Sequence, residues 1–159
     1  MSSIFMPPVY GTEVEWADFA FDAKFVDDAA PGTFEGYAAV FGNVDSHGDV
    51  IERGAFKESL RAREKAGRGL PPMYKMHGGR AYEGNEHEPI GVWSQMFEDN
   101  TGLYVKGKLI GLNTQKGSWN YAQLREHGLS GLSIAYTVRP GGSRAGAKPP
   151  QRSRSNFVF

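Results

Sequence analysis

From Thr12 to Asp27 the chain reads TEVEWADFAFDAKFVD, with apolar groups at Val14 and Trp16, then at Phe19, Phe21, Ala23 and Phe25. An alternation that slips once near Ala17 predicts a long strand, half-buried on one face and bulged where the period slips. After the Pro31-Gly32 turn, Thr33–Phe41 (TFEGYAAVF) is a second strand, rich in aromatic and β-branched residues. Gly42 to Asp49 (GNVDSHGD) reads as a tight polar loop whose glycines, Asn and Asp suit turns. The spacing of Phe56 and Leu60 predicts a short helix over Gly54–Ala66, stopped by Gly67. Leu70–His77 (LPPMYKMH) follows as a strand that begins after its prolines. Pro89–Glu98 and Gly102–Ile110 flank Asp99-Asn-Thr-Gly102 and predict an antiparallel hairpin. Asn113–His127, with Trp119, Ala122 and Leu124, is helical up to Gly128, and Leu132–Val138 (LSIAYTV) is a last strand. Six or so strands with two helices between them predict an α+β fold, built on a mostly antiparallel β-barrel or sheet with flanking helices.

Composition narrows the class. At 159 residues, 40% hydrophobic and 23% charged, the chain has the length and make-up of one globular domain with a core. It has no cysteine, which excludes disulfides, thiolate zinc sites and a cysteine nucleophile. No apolar run approaches the roughly 20 residues of a membrane span, and the amino terminus lacks the basic start and apolar run of a signal peptide. The formal net charge of zero hides an asymmetry: five of 18 basic residues and none of 18 acidic ones lie between Arg139 and Phe159, leaving −5 on residues 1–138. An acidic body argues against nucleic-acid binding, and a Gly/Pro/Ser/Arg tail reads as disordered.

Candidate chemistry is sparse. The four histidines (His47, His77, His87, His127) show no metal-ligand spacing. The Asp45–Asp49 loop has its glycine one place early for a calcium loop, and its acids read as turn formers and helix caps. Nucleophilic catalysis needs a hydroxyl, a base within hydrogen-bond reach and donors for the oxyanion. Gly128-Leu-Ser130-Gly-Leu-Ser133-Ile-Ala-Tyr136 offers two serines in Gly-x-Ser settings, Ser130 in a turn and Ser133 at the start of the apolar strand. Without a Gly-x-Ser-x-Gly elbow an ordinary α/β-hydrolase is disfavoured. On pattern alone these read as turn serines, and His77 as a hydrogen-bonded core histidine.

A resemblance separates these alternatives. Phe34–Ile51 (FEGYAAVFGNVDSHGDVI), then Gly54-Ala-Phe56, Met76-His77, Pro89-Ile-Gly-Val92, Gly102–Gly107 (GLYVKG) and Gly131–Tyr136 (GLSIAY) resemble, in order, the tailed-phage prohead (head-maturation) protease family. The resemblance covers roughly residues 33–138. It implies a fold similar to the herpesvirus assemblins, and a serine endopeptidase that cuts scaffold sequences, and often itself, inside the immature capsid. Carried over to this chain, Ser133 is the implied nucleophile and His77 the implied general base, with Ser130 as the fallback nucleophile. No cofactor is implied. The implied partner is the scaffold segment of the major capsid protein or a separate scaffolding protein. A homodimer is implied by the same likeness, and the implied location is the assembling prohead in the host bacterial cytoplasm.

The resemblance also sets domain expectations. Residues 1–11 read as a flexible segment, 12–138 as the protease domain, incomplete at its carboxy end, and 139–159 as a disordered basic tail. Relatives continue past the serine strand to a third, base-orienting residue, whereas here no acid follows Glu126. Only Glu126 or His127 lies near enough in sequence to replace it. Loss of an orienting residue costs on the order of 10⁴ in kcat, so the competing expectation is a non-cutting companion that binds scaffold or capsid protein.

Overall fold

The computed structural model describes residues 15–20, 24–44, 49–74, 88–126, 131–138, 140–145, 152–154 and 157–158; within strands 15–20, 131–138, 143–145, 152–154 and 157–158 it describes the backbone. The elements are β1 (Glu15–Ala20), β2 (Lys24–Phe25), β3 (Thr33–Val40), β4 (Asp49–Ile51), α1 (Lys57–Lys65), β5 (Met73–Tyr74), β6 (Pro89–Glu98), β7 (Gly102–Leu109), α2 (Gln115–Glu126), β8 (Gly131–Val138), β9 (Ser143–Ala145), β10 (Arg152–Arg154) and β11 (Phe157–Val158). Five of these strands form an antiparallel sheet in the order β2-β3-β7-β6-β5.

Alternation along these strands sorts side chains between two faces. Register pairs Phe34 with Gly107, Gly36 with Val105, Ala39 with Leu103 and Met96 with Val105 on the inner face. Both helices cover that face. Phe56 and Leu60, from the turn before α1 and from α1 itself, pack on Ala38, Ala39, Leu103 and Val105. Tyr121 and Leu124 of α2 pack on Phe34, Met73 and Leu109. Trp93 touches both clusters and meets Phe34 edge-to-face with centroids 5.7 Å apart. Sheet and helices together are the α+β arrangement that the pattern predicts.

The β6–β7 hairpin turns where expected, and its turn is self-supporting. The Asp99 carboxylate accepts from the Thr101 and Gly102 amides at 2.7 and 3.0 Å, which satisfies donors that the ladder leaves free. Gly102 also lies so close to β3 that a Cβ would overlap the Ala39 carbonyl oxygen. One residue before the turn, Glu98 accepts hydrogen bonds from the amides of Gly54 (2.9 Å) and Phe56 (2.6 Å). This carboxylate caps the entry to α1 in place of a local side chain and holds the fully buried Phe56 over the sheet.

On the outer face the register sets Glu35 opposite Lys106 and Tyr37 opposite Tyr104. Tyr104 donates to Glu35 (3.0 Å), Lys106 pairs with it (3.3 Å), and Tyr37 donates to Asp99 at 2.6 Å. These hydrogen bonds hold both carboxyls below their ordinary range, chiefly through Tyr37 for Asp99 and through Tyr104 for Glu35.

Four details depart from the sequence pattern. The single long strand expected over 12–27 is two strands in different sheets, since β1 pairs with β8 and β2 with β3. The period slip marks no bulge within one ladder. Asp49, expected among turn formers and caps, opens β4 and is 4% exposed. Of the strand expected over Leu70–His77, β5 supplies Met73 and Tyr74, and residues 75–77 lie outside the described residues. Finally, the stretch from Arg139 on, which composition reads as disordered, carries β9, β10 and β11. β10 runs parallel to β4, with Arg152 opposite Asp49, and antiparallel to β9; β11 pairs with β8. Composition misses these strands because ladder pairing uses main-chain groups that every residue but proline carries, not an apolar pattern.

Two stability measurements follow. Glu98→Ala is expected to cost about 2–3 kcal/mol in urea denaturation, since it orphans two amides, and Phe56→Ala about 3–5 kcal/mol. A depressed carboxylate stabilises fully above its unfolded value and loses that contribution as pH falls through the folded one. Tyr37→Phe is therefore expected to lower the stability measured near neutral pH, with the gap to wild type closing below about pH 4.

Candidate active site

α2 is the element that precedes the serine strand in the chain. Thr114 caps the helix: its hydroxyl accepts from the Gly117 amide (3.1 Å) and donates to the Gly111 carbonyl (2.6 Å). Gly117 lies against that same carbonyl, where a Cβ would overlap the oxygen, so the first turn of α2 presses directly on the end of the hairpin. The other end is tied by Arg125. Its guanidinium pairs with Asp27 at 3.2 Å and lies 5.6 Å from the Phe25 ring and 5.9 Å from the Tyr121 ring. Phe25 and Tyr121 themselves meet edge-to-face at 5.4 Å. The helix that delivers the chain to the serine strand is thus fixed at both ends.

Ser133 is the third residue of β8. β8 is the middle strand of a three-stranded antiparallel sheet, β1-β8-β11, and runs beside β3. The register places Ser133 opposite Asp18 of β1, with Leu132 opposite Phe19 and Ile134 opposite Ala17. The two-residue period divides β8 into Gly131, Ser133, Ala135 and Thr137 on one face and Leu132, Ile134, Tyr136 and Val138 on the other. Ser133 therefore belongs to the small-residue face of a strand whose opposite face has core character.

His77 and Ser130 lie outside the described residues, as do His47, His87 and His127. β5, three residues before His77, sits at the edge of the five-stranded sheet, with Met73 paired to Gly91 of β6. Glu126 ends α2 and is exposed. Among the described residues no group of three or more His, Asp and Glu is placed to hold a metal ion, and no helix is long and apolar enough to cross a membrane. The pairing of β1 with β8 joins strands from distant parts of the chain.

The structure is a small α+β body that carries the motif serine on a paired strand. The comparisons give the family. Residues 19–155 match the family model of the caudovirus prohead serine protease, and the chain belongs to that family. The match extends beyond 33–138 in both directions and takes in β9 and β10. The prohead protease of Enterobacteria phage HK97 is 36% identical over 118 residues, which are 74% of this chain and 47% of that protein. The chain thus spans about half the length of that relative. In three dimensions the chain is similar to the bacteriophage T4 capsid assembly protease, with a TM-score of 0.63 over 92% of each chain at 10% identity, a likeness of fold.

The site analysis predicts a packing effect separable from chemistry. Arg125→Ala removes the pair with Asp27 and the cover over Phe25 and Tyr121, both at the surface. It is expected to lower stability only slightly, read as a small fall in the urea midpoint.

Proposed function

We propose that the chain is a head-maturation serine endopeptidase that cleaves scaffold or capsid precursor protein, and itself, within the assembling prohead. The observation that carries this reading is the family match over 19–155, because the Gly-Leu-Ser-Ile-Ala-Tyr motif lies within it on β8. Ser133 is the nucleophile and His77 the general base in this reading. The Ser133 hydroxyl oxygen bonds to the scissile carbonyl carbon while its proton passes to the imidazole. The imidazolium then gives that proton to the departing amine, and the C–N bond breaks. Water next attacks the acyl-serine, its proton passing to the imidazole and then to the serine oxygen as the acid product leaves. The chemistry requires no cofactor. The scaffold segment of the major capsid protein, or a separate scaffolding protein, is the substrate partner, and two copies associate as a homodimer.

The test is fluorophosphonate labelling followed by intact mass and peptide mapping. One adduct on Ser133 is expected, absent in Ser133→Ala and slowed by on the order of 10³–10⁴ in His77→Ala. An adduct on Ser130 would move the nucleophile to that turn. No adduct on a folded chain would favour a companion that binds scaffold or capsid protein without cutting it.

A further inference from the structure

We propose that the outward face of α1 is a docking surface for an acidic polypeptide segment. On the protease reading above, on which this identity of the partner rests, the segment belongs to the scaffold or capsid precursor protein. The inward side of α1 and its entry turn is made by Phe56, Ser59, Leu60 and Arg63. Phe56 and Leu60 pack on the sheet, Ser59 is buried, and the half-buried Arg63 donates from Nε to the Gly69 carbonyl oxygen at 2.9 Å. With about 3.6 residues per turn, the opposite line of the helix holds Lys57, Arg61 and Lys65, each one turn from the next. All three are exposed. Among the described residues none of the three forms an ion pair.

This arrangement works against the helix itself. Lys57–Arg61 and Arg61–Lys65 are like-charge pairs at i, i+4, which oppose helix formation. Lys57 stands at the first helical position, where the macrodipole favours an acid. Just past the helix, the Arg68 charge adds to burial in lowering the Arg63 pKa. Five cations and two acids lie between Lys57 and Arg68, a net of +3 within a body, residues 1–138, that carries −5. Packing on the sheet is made by Phe56 and Leu60 and gives no reason for these cations. An acidic partner relieves all of the repulsions at once. The stripe suits a polypeptide better than a nucleic acid, because Glu58 and Glu64 on the same helix and the acidic body around it repel a continuous phosphate backbone. It spans about 12 Å along the helix, the reach of three carboxylates spaced by one turn on a partner helix.

Fluorescence anisotropy of a labelled alanine-based peptide of about 15 residues, with glutamate at every fourth position, titrated with the full chain, supplies the test. The same peptide with glutamine for glutamate and a single-stranded oligonucleotide are the comparisons. The glutamate peptide is expected to bind more tightly than either, with an affinity that falls as salt rises. Lys57→Gln/Arg61→Gln/Lys65→Gln, with a Tm no lower than wild type, is expected to bind it about tenfold more weakly, through loss of three exposed ion pairs. Lys24→Gln/Lys108→Gln, at exposed sheet positions, is expected to bind as wild type does. Equal binding by wild type and the triple variant overturns the proposal. So does an equal loss in Lys24→Gln/Lys108→Gln, tighter binding of the oligonucleotide, or a wild-type dimer that the triple variant dissociates. Fluorophosphonate labelling of Ser133, expected at one rate in wild type and triple variant, keeps the two readings apart. A chain that binds the peptide without labelling keeps the docking surface and loses the protease reading; a chain that labels without binding loses this proposal alone.

Discussion

The Glu98 carboxylate ties the sheet to what packs on it. By accepting the amides of Gly54 and Phe56 it connects the end of β6 to the start of α1 across a long stretch of sequence. Phe56 is thereby seated on Leu103 and Val105. The direction of α1 then determines where the chain enters β5, the strand that leads toward His77. An anionic acceptor suits this place because the amides ahead of a helix are unpaired donors at the positive end of its dipole. A buried aromatic alone supplies area without direction, and the two hydrogen bonds supply the direction.

A second tie orients the other arm of the site. Thr114 and Gly117 fix the start of α2 on the hairpin end, and Arg125 fixes its far end on Phe25, Tyr121 and Asp27. Trp93, in contact with both core clusters, joins the packing beneath the two helices. The chain belongs to the caudovirus prohead serine protease family, and the two ties show how this particular chain holds its frame.

Much of the frame is legible in the sequence, and what is not has a common cause. The β6–β7 hairpin and the Gly67 helix stop follow from local signals, because turn residues act on their immediate neighbours. Both helices are found within two or three residues of their expected bounds. The split of residues 12–27 between two sheets is not legible, because alternation shows that a segment is a strand but not which strand it meets. β10 is hidden for the same reason: Arg-Ser-Arg has no apolar pattern, and its alignment with β4 and β9 makes it a strand. Ser133 stands out through its motif, whereas the strand it pairs with, β1, is set by pairing between distant segments.

The pairing of β1 with β8 also bears on how the molecule comes together in time. β1 precedes both helices and the main hairpin in the chain, and its ladder partner follows them. The pairs β2–β3, β5–β6 and β6–β7 join segments near in sequence, whereas β1–β8 and β4–β10 join distant ones. Contacts so far apart in sequence carry a larger loop-closure cost and form late. The strand that bears Ser133 is thus among the last pieces to dock.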